Sequence, residues 1–215
     1  MRDEVVSSAT KEHVGVVPLL DRQTGTFVDA HLFRGLDQKN FNDYEQLWKP
    51  ELDRARVASP TWLAAATFNA QDSHWMWTEK GAKANANMSL ETFAIEYDGK
   101  TQGMILVNLV AFGQLEDQKG LELVYVEMLA TAPWNRKQLT DQPLYKGVGH
   151  VLIGAAISLS IETEFRGRLG LHSLPQSESW YQTETNFTNV GMDHDKNMIY
   201  FEATEDQAKK FLENG

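Results

Sequence analysis

The chain has 215 residues, of which 42% are hydrophobic and 23% are charged, proportions that are ordinary for a globular protein. Its formal net charge of −10 argues against a nucleic-acid-binding protein, because such proteins usually present a basic face. The absence of cysteine excludes disulfides, thiolate metal sites and a cysteine nucleophile. No apolar run approaches ~18 residues and the N-terminus lacks an apolar signal-peptide core, so we expect a cytoplasmic protein without a membrane segment.

The first third of the sequence predicts two strands followed by helices. Residues 1–12 are polar, and we expect them to be flexible. Pro50 ends one helix or begins the next, and Ser59 followed by Pro60 is typical of a helix start. Apolar spacing predicts strands over residues 14–20 and 27–33 and helices over residues 40–70.

An aromatic cluster follows, in which Trp75, Met76 and Trp77 come directly after His74. Three interpretations remain open: packing in the core, lining of a substrate pocket, or a catalytic role for His74. Packing is the commonest role of large aromatic side chains, and we favour it. The small and polar residues 81–89 predict a loop.

The middle of the chain predicts an antiparallel meander of three strands. Asp98 and Gly99, between the first two strands, are a strong hairpin signal. The second strand is apolar on both faces and is therefore expected to be central, and Pro133 ends the third. The predicted strands cover residues 91–97, 102–112 and 121–132, with a polar turn over residues 114–120.

Two glycines, Gly147 and Gly149, stand at the start of a helix predicted over residues 148–162. Glycine permits positive φ and close approach of another group. The first amides of a helix lack intrahelical partners and carry partial positive charge. The turn is therefore a candidate phosphate cradle, although many such turns only bring a strand close to a helix.

The last part of the chain predicts a β-α-β crossover. A strand over residues 167–173 would lie parallel to the third meander strand. A short helix over residues 175–181 and a strand over residues 198–203 follow. Thr204 and Gln207 form a capping box that opens a terminal helix over residues 205–212.

Four local patterns within this order of elements resemble the GCN5-related N-acetyltransferase (GNAT) superfamily. The resemblance covers residues 90–203, and before them only the order of elements agrees. The patterns are the strand end Met128, Leu129, Ala130, Thr131, Ala132 and Pro133; the following Arg136; the turn from Leu144 to Gly149; and Trp180 and Tyr181 followed by Asn186 and Phe187 or by Gly191 and Met192.

The resemblance implies an α+β fold whose central sheet is mixed, mostly antiparallel and flanked by helices. The sheet is splayed between the fourth and fifth strands of the family fold, where acyl-CoA lies. We expect one domain over residues 1–215, in which residues 13–90 shape the substrate site and residues 91–203 bind acetyl-CoA. No metal is expected.

The resemblance also implies which residues contact acetyl-CoA. The backbone at the end of the third meander strand would pair with the pantetheine arm, and the glycine turn would hold the pyrophosphate. The residues are Leu129, Ala130, Thr131, Arg136, Lys146, Gly147, Val148, Gly149 and His150. This chain departs from the family at Leu144, where Arg or Gln is usual, and in a longer loop after Arg136.

Two residues are implied as catalytic. Tyr181 would protonate the leaving thiolate, although it could be only a packed aromatic beside Trp180. Glu127, or alternatively Glu122, would act as general base, directly or through water. A carboxylate in this apolar strand is costly unless it is paired or lies at a cleft, and the alternative is an edge carboxylate facing water.

Other polar residues have simpler explanations. His172 ends a strand near the expected site, and a structural histidine is the commoner case. The run Asp193, His194 and Asp195 resembles a metal cluster, but adjacent side chains point in different directions, so a polar turn explains it.

The resemblance implies transfer of an acetyl group from acetyl-CoA to a primary amine by direct attack in a ternary complex. The alternatives are a non-catalytic acyl-CoA-binding or protein-interaction module, and a scaffold that binds no CoA. The acceptor would be a small-molecule or peptide amine, with no nucleic-acid or membrane partner. Dimers are common in the family, so a homodimer is compatible with the resemblance.

Overall fold

The computed structural model describes residues 11–58 and 70–214. Its strands are β1 (Glu12–Asp21), β2 (Phe27–Arg34), β3 (Leu90–Tyr97), β4 (Lys100–Phe112), β5 (Glu122–Thr131), β6 (Tyr145–Lys146), β7 (Leu169–Ser173), β8 (Thr188–Asp193) and β9 (Met198–Ala203). Its helices are α1 (Gln38–Asp43), α2 (Lys49–Ala58), α3 (Trp77–Ala84), α4 (Val148–Glu162), α5 (Glu178–Trp180) and α6 (Glu205–Glu213). The helix start predicted at Ser59 and Pro60, and all but the end of the segment 1–12, lie outside the described residues.

The strands form one mixed sheet in the order β6-β1-β2-β3-β4-β5-β7-β9-β8. Only β5 and β7 pair in parallel among the described strands, and the other pairs are antiparallel. The fold class predicted from the sequence, a mostly antiparallel mixed sheet flanked by helices, is therefore confirmed. None of the described helices has the length and apolar character needed to span a bilayer.

The N-terminal helices run on from one another through an irregular turn. Tyr44–Trp48 forms a π-helical turn between α1 and α2, and the amide of Lys49 donates to the carbonyl of Tyr44. Pro50 follows in the first turn of α2, where its missing N–H is tolerated. The prediction of helix over this region is confirmed as far as Ala58.

The meander β3-β4-β5 and the crossover through α4 to β7 are both as predicted. The parallel pairing is short, however, because it joins only Val124, Tyr125 and Val126 to residues 169–171. Beyond Val126, β5 continues to Thr131 beside β4, while β7 continues beside β9. The two strands therefore part along the C-terminal half of β5.

Helices cover both faces of the sheet. On one face, α4 packs on β4 and β5 and α6 packs on α4 and β9, in a cluster that includes Val124, Val126 and Leu152. On the other face, α1, α2 and α3 cover β3, β4 and the end of β5. Gly103 on β4 lets α4 approach closely, because a Cβ there would lie 3.0 Å from Leu152 Cδ1 and closer still to the side chain of Val148.

One prediction about local structure is wrong, and one strand was not predicted. The loop predicted over residues 81–89 begins as the end of α3, in which Gly81 makes room for the Phe41 ring. Strand β8 was not predicted, because its sequence is polar and largely exposed and it pairs only with β9. The aromatic cluster is mainly core packing, since Trp77 is buried and Trp75 packs beside it.

Candidate functional site

A cleft of about 410 Å³ lies where β5 and β7 part and reaches the N-terminus of α4. It brings together nine of the eleven residues that the sequence analysis singled out. These are Leu129, Ala130, Thr131, Arg136, Lys146, Gly147, Val148, Gly149 and Tyr181. Glu127 and His150 do not line it.

The N-terminus of α4 presents free amides to this cleft. Gly147 caps the helix with a φ of +104°, a backbone conformation that favours glycine. The first helical hydrogen bond runs from the amide of Val151 to the Gly147 carbonyl at 2.9 Å. Among the described residues the amides of Val148, Gly149 and His150 have no acceptor, so this end of the helix suits an anion.

Arg136 lies at the cleft, but its guanidinium is already engaged. It donates two hydrogen bonds of 2.7 Å to the carboxylate of Asp72 and two more, of 2.8 and 2.6 Å, to the Thr131 carbonyl. Gln176, beyond β7, donates to the same carboxylate at 3.2 Å. Arg136 therefore joins the turn Gln71–His74 to the end of β5, and Gln176 joins the same turn to the segment after β7.

Asp72 is fully ionised in this network. Burial acts to raise the pKa of its carboxyl, but the charge and hydrogen bonds of Arg136, with the bond from Gln176, hold the pKa below its usual range. Because Asp72 is 3% and Arg136 10% exposed, the pair is shielded from solvent. A phosphate at this position would have to compete with Asp72 for Arg136.

Three other cations surround the mouth of the cleft. Arg22, Lys137 and Lys146 line it, and Arg22 and Lys137 also line an adjoining open cavity of about 650 Å³. The Nε of Arg22 is buried without a partner among the described residues. The sequence analysis missed Arg22, because it reaches the site only through the pairing of β6 with the end of β1.

Tyr181 lies at the other wall of the cleft, in the π-helical turn Tyr181–Thr185 that continues α5. Its ring is buried between Trp180 and Phe201, with centroid distances of 4.9 and 5.7 Å. Burial raises the pKa of its hydroxyl, which therefore keeps its proton. Within the described residues that hydroxyl has no hydrogen-bond partner, so it is available as a donor.

Glu127 stands at a bulge in β5. The β4 register passes from Met128 to Val126 and leaves Glu127 without a partner residue. The side chain is exposed rather than buried, and it accepts one hydrogen bond of 3.1 Å from Asn108. Glu122 is also exposed, at the start of the strand and far from its parting point.

Neither a sequence-family model nor a curated protein matches this chain. Solved structures do match it. The PaiA N-acetyltransferase from Thermoplasma acidophilum, solved with coenzyme A, aligns at a TM-score of 0.51 and 11% identity over 82% of this chain and 99% of its own. Mycobacterium smegmatis RimJ, solved with CoA-disulfide, aligns at 0.51 and 14% identity over 96% and 95%. The chain has the GCN5-related N-acetyltransferase fold.

The side chain of His150 packs against α6 and does not line the cleft. The ring of His150 stacks on Phe211 at 4.0 Å, and its Nε2 is buried without a partner in the described residues. Burial lowers the pKa of this imidazole. His150 therefore contributes its amide rather than its ring to the helix terminus.

The polar run after β8 is a turn, as predicted. An Asp193 oxygen accepts from the amides of Asp195 at 3.0 Å and Lys196 at 3.2 Å. Across residues 11–58 and 70–214, no group of three or more His, Cys, Asp or Glu side chains is arranged to hold a metal ion. The other carboxylate oxygen of Asp193 contacts His172.

The GNAT fold does not identify the binding partners of this chain. A chain of the KacTA–DNA complex aligns at a TM-score of 0.43, with 12% identity over 74% of this chain and 86% of its own. That similarity is too low to carry an argument for or against DNA. The expectation that this chain has no nucleic-acid partner stays a prediction from its charge.

Proposed function

We propose that this protein is an acyl-CoA-dependent N-acetyltransferase that acetylates a primary amine by direct attack in a ternary complex. The observation that carries the proposal is the cleft between β5 and β7, which ends at the uncapped N-terminus of α4. A parted pair of strands offers free backbone groups to an extended arm, and the helix terminus suits its pyrophosphate.

Different residues of the cleft would contact different parts of acetyl-CoA. The amides of Val148 and Gly149 would hold the pyrophosphate, with the side chains of Lys146, Lys137 and Arg22 adding positive charge. The edge of β5 over residues 129–131 that faces away from β4 would pair with the pantetheine arm, except at the Thr131 carbonyl, which Arg136 already binds. Arg136 would act as a structural residue that holds the end of β5, since its guanidinium is bound to Asp72.

The chemistry then needs a proton donor for sulfur and an acceptor for the amine proton. Tyr181 is the donor, because its buried hydroxyl keeps its proton and has no partner among the described residues. Glu127, which the family resemblance implies as general base, lies where β5 and β7 part and would face the amine. We propose that residues 13–90 shape the amine site, and that residues 91–203 form the acetyl-CoA site.

The first test is calorimetric titration of the protein with acetyl-CoA. Gly149→Glu puts a carboxylate at the pyrophosphate position, where a Cβ meets only the Trp180 ring at 3.8 Å and the fold is spared. Ser158→Glu, exposed on the same helix, is the matched control. We expect binding by the native protein and by Ser158→Glu, and its loss in Gly149→Glu. No binding by the native protein would overturn the proposal.

Turnover separates the enzyme from a binding module. Release of CoA thiol should depend on an added primary amine, and Tyr181→Phe should slow it while leaving acetyl-CoA affinity nearly unchanged. Binding of acetyl-CoA without turnover on a panel of amines would instead indicate a non-catalytic module. Unchanged turnover in Tyr181→Phe would remove this tyrosine from the mechanism.

A further inference from the structure

A chain of hydrogen-bonded side chains lies beside the point where β5 and β7 part. The hydroxyl of Tyr125 on β5 is 2.7 Å from Nδ1 of His172 on β7. Nε2 of His172 is 2.9 Å from a carboxylate oxygen of Asp193, at the end of β8. Nζ of Lys196 lies 3.2 Å from the same Nδ1 and 3.4 Å from the tyrosine hydroxyl.

These hydrogen-bonded side chains lie on the face of the sheet opposite to α4. Val124 and Val126 pack into the cluster beneath α4, so Tyr125 between them points to the opposite face of the sheet. Tyr125 pairs with Gly170, one position before the last parallel pair, Val126 with Leu171. Its side chain is therefore next to the start of the opening. Glu127 is close enough to act electrostatically on both Tyr125 and His172.

The protonation states suit a relay. Burial, with the charge of Lys196, lowers the pKa of His172, so its ring is neutral near pH 7. Burial raises the pKa of Tyr125, which remains a phenol. Asp193 has a pKa below its usual range, chiefly because of the hydrogen bond from the Lys196 amide. The neutral ring then donates from Nε2 to Asp193 and accepts the phenol proton at Nδ1.

We propose that Tyr125, His172 and Asp193 form the proton relay that deprotonates the acceptor amine, which Glu127 holds. After the bound ammonium has lost one proton to solvent, the neutral amine nitrogen bonds to the thioester carbonyl carbon and the carbon–sulfur bond breaks. A proton of the nitrogen passes to the Tyr125 oxygen while the phenol proton passes to His172 Nδ1. Asp193 stabilises the resulting imidazolium, and Tyr181 protonates the thiolate. Solvent then takes the extra proton from His172 and returns a proton to Tyr181.

The relay indicates the class of substrate. Three charges lie around Tyr125: the carboxylate of Glu127, exposed at the bulge, the carboxylate of Asp193 beyond His172, and the ammonium of Lys196. Because two of the three are negative, this face of the opening favours a cationic primary ammonium over a carboxylate-bearing group. Tyr125 would be catalytic because it touches the amine. His172 and Asp193 act through Tyr125 and are positioning residues. The inference rests on the proposed N-acetyltransferase activity.

The first part of the test measures turnover of 1,4-diaminobutane, L-lysine and alanyl-alanine with acetyl-CoA. We expect Tyr125→Phe and His172→Gln to lower kcat about 100-fold or more, with acetyl-CoA affinity unchanged. Asp193→Asn should lower kcat, and Asp195→Asn, the same charge change at an exposed neighbouring position, should not. Native-like kcat in Tyr125→Phe would overturn the relay and leave the acetyltransferase proposal standing.

The second part uses the pH profile, which a purely structural histidine would not move. The groups that face His172 are Tyr125, Glu127, Tyr200, Asp193 and Lys196. Because the base must be neutral, kcat rises with pH through the pKa of His172. Asp193→Asn should move this limb to lower pH, and Lys196→Gln should move it to higher pH. An identical limb in both variants would overturn the relay.

The two proposals fail in distinguishable ways. Absence of acetyl-CoA binding in the native protein overturns the acetyltransferase proposal and the relay with it. Binding with no turnover of the three amines overturns the relay, because there is then no amine for it to deprotonate. Lys196 is exposed, so we expect Lys196→Gln to fold. The pH profile of this variant therefore still tests the relay if His172→Gln does not fold.

Discussion

The buried ion pair between Asp72 and Arg136 leads to a prediction about stability. The pair makes two hydrogen bonds of 2.7 Å and is shielded from solvent. Removing one partner of a buried pair costs about 3–5 kcal/mol, because the remaining charge is left uncompensated in a low dielectric. Asp72→Asn should therefore lower the free energy of unfolding by about 3 kcal/mol or more, a large part of the ~5–15 kcal/mol typical of a domain.

The assay is urea unfolding followed by tryptophan fluorescence at pH 7. Asp117→Asn, at an exposed position, is the control and should stay within about 0.5 kcal/mol of the native protein. The double variant Asp72→Leu, Arg136→Met removes both charges and should regain much of the lost stability. A loss of unfolding free energy below about 1 kcal/mol in Asp72→Asn would refute the reasoning, because a contribution of that size is typical of a solvent-exposed ion pair.

The same pair gives the stability a defined pH dependence. The folded pKa of Asp72 is below its unfolded value, so its contribution is complete above the unfolded pKa and is lost as the pH falls through the folded pKa. The stability difference between the native protein and Asp72→Asn should therefore shrink as unfolding is measured in increasingly acidic buffer. A difference that stays constant down to pH 2 would contradict an ionised Asp72.

Three further predictions concern other parts of the molecule. Thr204→Ala should lower the free energy of unfolding by about 1 kcal/mol in urea titrations, because it removes the hydroxyl that caps α6, and no change would mean that the cap contributes nothing. Gly103→Val should cost about 1–3 kcal/mol in the same assay, because its side chain meets Val148 and Leu152, and it should weaken acetyl-CoA binding as α4 is displaced. Arg22→Gln should weaken acetyl-CoA binding about tenfold or more by calorimetry and reduce its salt dependence, whereas Arg54→Gln, on the exposed surface of α2, should change neither.

Elements with strong local signals were predictable from the sequence. Helix α4 has the predicted bounds, because Gly147 supplies the positive φ that starts it and its apolar surface suits the sheet. Strand β9 and the capping box of α6 are also as predicted. In each case the decisive interactions are within a few residues of one another.

The contacts that decide the site were not predictable in the same way. The sequence predicts that Arg136 contacts acetyl-CoA, but in the structure its guanidinium binds Asp72, which lies 64 positions earlier in the chain. The hydrogen bond from Tyr125 to His172 spans 47 positions and depends on the register of the parallel strands. Neither partner is marked by its neighbours in sequence, because the contact exists only once the sheet has formed.

The short pairing of β5 with β7 divides the sheet into two plates, one of six strands and one of three, joined along a seam. Few backbone hydrogen bonds cross the seam, so α4 and side-chain contacts must carry much of the coupling between the plates. These contacts are the Asp72 network, the bond between Tyr125 and His172, and the bonds that Glu202 on β9 accepts from the segment after β4. A bound arm lying in the seam would act as an added strand and tie the plates together. Occupancy would then slow amide exchange across the three-stranded plate, well beyond the residues that touch the ligand.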